Sequence, residues 1–202
     1  MRVIIFYSFI LILGCSDNNS QKDAGNATLI NKSVNDSSWT SKLSVALNIP
    51  KIHNGVDSFE LRLWSSLSMT DLQLLTTLRY SDGQWHCTES RYWIGKIDEW
   101  GKNGFPLADS VQTKKLFSMI PYESILDSLR SYNLWNKPSQ HDIPNFVDNT
   151  ADGMAYTLEI AGNEKFHSIT YRNPQAYSDP FNRQFYSLLK FLSNSIGAFV
   201  IP

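Results

Sequence analysis

Asp148-Asn149-Thr150-Ala151-Asp152-Gly153, with Glu159 twelfth from Asp148, has the residue types and spacing of an oxygen-ligand calcium loop. In such a loop carboxylates at positions one, five and twelve surround the cation, and a glycine at six permits the sharp turn between them. Thr150 is a poor third ligand, and Tyr156 stands where a small polar group is usual. Met154, Tyr156, Leu158 and Ile160 alternate as in a strand, where a calcium loop of this kind leads into a helix. Asp152-Gly153 is therefore read as a turn feeding a strand. Asp148, Asp152 and Glu159 stay as weak calcium candidates, and no metal or other cofactor is expected.

Two further groupings invite chemistry. His86-Cys87 sets an imidazole beside a thiol, which is the composition of a thiolate nucleophile. Neighbours in a strand point to opposite faces, so these side chains should diverge, with Cys87 buried and inert. His141-Asp142, close to Ser139, has the makings of an acid-base pair for an envelope hydrolase. Polar residues in loops are commonly only solvated, and this reading requires a third polar group to converge on the pair. His53 and His167 carry no motif of their own.

The elements that hold these residues follow from periodicity. Phe59-Glu60-Leu61-Arg62-Leu63 alternates apolar and polar, and Leu72, Leu74, Thr76, Leu78 and Tyr80 continue that period. Ser81-Asp82-Gly83-Gln84 supplies a hairpin turn, after which residues 85–94 form a third strand. Residues 116–134 switch to helical spacing through Leu116, Ile120, Ile125 and Leu129. Residues 135–153, with two prolines and no period, read as a long loop. A second hairpin spans residues 156–171, and Phe181, Phe185, Leu188, Leu189 and Leu192 form a closing amphipathic helix after Pro180. The expected fold is α+β: an antiparallel sheet of about five strands, in the order β-β-β-α-β-β-α, packed on one face by two helices.

On that sheet the polar positions of the strands carry Glu60, Arg62, Arg79, Glu89, Arg91 and Glu159. The plain reading is a solvated face, where cross-strand charge pairs contribute only tenths of a kcal/mol. The sharper reading is a contact face for a protein or other ligand, formed by Arg62, Trp64, Arg79, Arg91 and Trp93 together with the 135–153 loop. Arginine and tryptophan are the residue types that interfaces favour. A formal net charge of -1 offers no broad basic surface, so nucleic acid is not expected as a partner.

The N-terminus says where this domain resides. Arg2 precedes an apolar run from Val3 to Leu13 that is interrupted only by Ser8 and ends at Gly14-Cys15. The run is shorter than the roughly 20 apolar residues that cross a bilayer, and its layout is that of a cleaved export signal. Ile12-Leu13-Gly14-Cys15 resembles the lipobox of bacterial lipoproteins, although Leu13 is bulkier than is usual two residues before the cut. The resemblance implies that residues 1–14 are removed and that Cys15 is acylated and becomes the membrane anchor. Ser16-Asp17 resembles the acidic sorting signal of some surface-displayed lipoproteins. Outer-membrane attachment is expected, with the periplasmic and surface faces both open.

Residues 16–40, rich in Ser, Asn, Asp and Lys, bury too little apolar surface to fold and read as a tether. The expected organisation is an anchor and tether over residues 15–44 and one globular domain over 45–202. Asp152-Gly153-x-x-Tyr156-x-Leu158-Glu159, followed by Tyr171-Arg172-Asn173-Pro174, is similar to a pattern in uncharacterised bacterial exported domains. It implies fold and no activity. The sequence thus points to a lipid-anchored envelope protein that acts as a binding module. A hydrolase built on the 135–153 loop and an immunity-type inhibitor of a toxin remain as alternatives.

Overall fold

The structure is a computed structural model that describes residues 38–68, 70–95 and 108–198. The signal at residues 1–14, Cys15 and residues 16–37 of the tether lie outside the described residues.

Among the described residues the sheet is antiparallel throughout and has six strands: β1 (Phe59–Leu67), β2 (Leu72–Ser81), β3 (Gln84–Ile94), β4 (Ala108–Lys115), β5 (Met154–Gly162) and β6 (Lys165–Arg172). Their spatial order is β4-β3-β2-β1-β5-β6. Two hairpins are closed by two-residue turns, the second at Asn163-Glu164 rather than at Gly162-Asn163 as the sequence suggested. Asp82 and Gly83 both take positive φ between β2 and β3, as do Asn163 and Glu164 between β5 and β6. That geometry matches the right-handed twist of the flanking strands.

Among the described residues three α-helices accompany the sheet: α1 (Trp39–Ala46), α2 (Tyr122–Ser131) and α3 (Pro180–Ile196). The coarse α+β class therefore stands, with one strand and one helix more than the sequence indicated. The added strand is β4. The helix expected over residues 116–134 begins only after Pro121, which occupies the N-cap with an extended backbone. Proline lacks the N–H that a helix interior uses, and residues 116–118 are irregular instead.

Register divides the sheet into two faces. Leu61 lies opposite Leu78 on one side and Ile160 on the other, and Leu78 lies opposite Cys87. These residues pack on Ile125 and Leu129 of α2 and on Phe185, Leu188, Leu189, Leu192 and Ile196 of α3, forming the main core. Tyr171 stacks on Phe185 with ring centroids 4.1 Å apart. The opposite face has a cover of its own. Leu43 of α1 packs with Trp64, Leu75 and Tyr92 in a second, smaller cluster. The expected one-sided sheet is thus corrected: α1 starts within the stretch assigned to the tether and runs past its end, so folded structure begins ahead of residue 45.

Within the 135–153 segment, residues 138–140 are held along the outer edge of β6. The Gln140 side chain accepts from Arg172 N at 2.9 Å and donates to Arg172 O at 2.9 Å, as a neighbouring strand would. Thr170 N donates to Ser139 Oγ, and Tyr171 Oη donates to Pro138 O. These bonds occupy the outward backbone groups at Thr170 and Arg172, where another strand would otherwise pair.

Candidate functional site

The charged and aromatic residues marked in the sequence separate into two sites, because register places them on opposite faces. Arg62 lies opposite Glu159 on β5 and Thr77 on β2, and Glu60 lies opposite Arg79, so all four charged side chains share the α1 face. Glu89 lies opposite Thr76, Arg91 opposite Leu74 and Trp93 opposite Leu72, on the face that carries α2 and α3.

On the α1 face Arg62 is only 2% exposed. Its Nε donates to Glu60 Oε1 at 2.7 Å, Nη1 to Ser44 Oγ of α1 at 3.3 Å, and Nη2 to the Pro50 carbonyl at 2.6 Å. Trp64 Nε1 donates to Glu159 Oε2 at 2.8 Å. The second oxygen of Glu60 meets Arg79 at 3.7 Å. A buried charge is tolerated only when paired and hydrogen-bonded, and this guanidinium has a partner on each of its three nitrogens. Ser38, Ser41, Ser44, His53, Arg62 and Glu159 are among the residues lining a cavity of about 10 Å³ beside this network. That volume is about one water molecule's worth, too small for an organic substrate.

The expectation that Arg62 and Trp64 lie on a contact face is therefore corrected, since both are buried beneath α1. Their even-numbered positions on β1 indicated which face they share. Its cover, α1, comes from a segment whose composition is that of a linker.

The second site is on the α2/α3 face at the β3–β4 end of the sheet. Glu89, 1% exposed, accepts from Arg91 Nε at 3.1 Å and Lys114 Nζ at 3.0 Å. Arg91 and Lys114 are about half exposed, and Trp93 is 37% exposed. Arg79 is also half exposed, but on the other face. β4 is the outermost strand on this side of the described sheet. Ser110 at positive φ accompanies a register shift between Arg91 and Trp93, and with Lys114 and Lys115 it gives β4 the bulge and charges that discourage edge pairing. The sequence offered no signal for β4, because residues 110–115 are exposed on both faces and carry no apolar alternation.

The remaining sequence candidates are dispersed. Burial, and then the charge of Glu89, pushes the Cys87 thiol up to about 12, so it stays protonated at neutral pH. His86 is exposed and Cys87 buried, diverging as strand geometry requires. His141 Nε2 and Asp142 Oδ1 are 3.2 Å apart, with side chains 77% and 59% exposed. Ser139, the third group a hydrolase would need there, turns its hydroxyl to β6. Asp148 accepts from Thr150 N, Thr150 Oγ1 and Tyr177 Oη. The Thr150 N–H, followed by the two hydroxyls, brings this carboxyl down to about 2. Asp152 gives its carbonyl to Asn173, while Glu159 is occupied on the α1 face. Among the described residues no three His, Cys, Asp or Glu side chains come together to hold a metal ion. No described helix is long and apolar enough to cross a membrane.

No protein-family model matches the chain, and neither does any curated protein sequence.

Proposed function

We propose that the chain is a lipid-anchored envelope protein whose α+β domain acts by binding a protein partner, with its contact surface at the β3–β4 end. The observation that carries this reading is the pair Arg91 and Trp93. Both are partly exposed, stand two residues apart on one face of β3, and belong to the types that dominate interface energetics. Glu89 holds the Arg91 side chain in place, so ordering it on binding costs less than ordering a free arginine. The lipobox resemblance at Cys15 supports attachment to the membrane, where a binding domain meets its partners at raised local concentration.

Crosslinking in intact envelopes followed by pull-down tests the surface. Arg91→Glu and Trp93→Ala should each lose the captured partner, while Arg79→Glu on the opposite face keeps it. Full capture by both β3 variants would overturn the surface. Radiolabelled palmitate tests the anchor and should enter the wild type but not Cys15→Ser; label in both would remove the lipoprotein reading.

A further inference from the structure

We propose that α1, with the segment that follows it to Ile52, is a displaceable strap over the α1 face, and that its opening presents Arg62, Trp64 and Glu159 to solvent. The observation is what the strap covers. Glu60, Arg62 and Glu159 are each at most 5% exposed, in a layer whose apolar cluster has only Leu43, Trp64, Leu75 and Tyr92 as fully buried members. Charged groups gain hydration when uncovered, which offsets part of the apolar burial lost. The strap's hold on Arg62 consists of Ser44 Oγ at 3.3 Å and the Pro50 carbonyl.

The strap is also weak by construction. α1 has eight residues, a length that is marginal for a helix without tertiary support. Within the helix the inward residues are Thr40, Ser41, Leu43 and Ser44, so α1 itself contributes one fully buried leucine, and the segment after it adds partly buried Leu47 and Ile49 and buried Ile52. Ser38 caps it by accepting from Ser41 N at 3.2 Å. By contrast α2 and α3 share one continuous core with all the strands except β4. Segments with few buried apolar contacts open without the rest of the fold. The strap follows directly on residues 16–37, so anything that grips that stretch acts on the strap first. Opening is a property of the fold itself and needs no partner, so its failure would leave the β3–β4 contact surface standing.

Thiol labelling of the full-length chain tests this. Leu75→Cys puts a thiol under the strap, and native Cys87, in the main core, reports opening of the whole fold in the same molecule. With iodoacetamide and peptide mass mapping, Cys at position 75 should label at least ~100-fold faster than Cys87. Adding Ser38→Ala should speed labelling at position 75 about fivefold and leave Cys87 unchanged. Equal labelling rates at the two thiols, or equal acceleration by Ser38→Ala, would overturn the strap. Hydrogen exchange on the unsubstituted chain is an independent check: amides of α1 should exchange at least ~100-fold faster than those of α3, and matched rates would likewise overturn it.

Discussion

Gly153 and Asn173 flank the open end of the second hairpin, just before β5 and just after β6, and together they give the Asp152-Gly153 and Arg172-Asn173-Pro174 pattern a physical meaning. The Asn173 Oδ1 accepts from Met154 N, its Nδ2 donates to Asp152 O, and its own N–H donates to Met154 O. A Cβ on Gly153 would lie 1.8 Å from Asn173 Oδ1, and the residue sits at φ +136°. Gly153→Ala is therefore expected to destabilise by more than about 1 kcal/mol, from backbone conformation alone, with the displaced Asn173 hydrogen bonds adding to it. Urea denaturation measures this directly, and unchanged stability would mean that Asn173 does not occupy that space. The motif was legible as a turn, but the sequence could not indicate that the turn is locked by a residue twenty positions later. The same limit applied to Arg62, whose type and strand position were readable while its burial depended on a distant segment.

Elements with a strong period were found and those without one were missed, for a reason visible in their burial. β1, β2, β5 and α3 each bury an apolar set at the spacing that pointed to them. β4 and α1 lack such a set: β4 is exposed along residues 110–115, and α1 buries hydroxyls beside its single leucine. α3 illustrates how a readable boundary becomes an energetic one. Pro180 opens the helix, and Asp179 at the N-cap accepts from Phe181 N and Asn182 N at 3.0 Å each. Burial works against its charge, but the Asn182 and Phe181 donors prevail and hold its pKa below the ordinary value. A depressed folded pKa means stability that is present above the unfolded pKa of about 3.9 and is lost as pH falls through the folded value. Asp179→Ala should cost about 1 kcal/mol at pH 7. Asp179→Asn keeps a capping oxygen without the charge, so the wild type's advantage over it should shrink as pH drops below about 4. A constant gap from pH 7 to pH 3 would contradict the assignment.

At the scale of the molecule the two faces of the sheet are unequal, and the inequality dictates how the chain should respond to losing its N-terminus. The main core joins β1, β2, β3, β5 and β6 to α2 and α3, whereas the buried leucine of α1 belongs to the small cluster around Trp64. A chain lacking residues 1–46 keeps every residue of the main core and loses the burial of Leu43 together with part of that of Trp64, Leu75 and Tyr92. Re-exposing that surface costs about 3 kcal/mol, before the hydration regained by Glu60, Arg62 and Glu159 offsets some of it. In a domain of this size that corresponds to a fall in Tm of roughly 10 °C or less, with a single cooperative transition retained. Calorimetry on the shortened chain decides the matter. A chain that no longer folds would make α1 an integral part of the core, and the domain would then have to be read as beginning at α1 for stability as well as for structure.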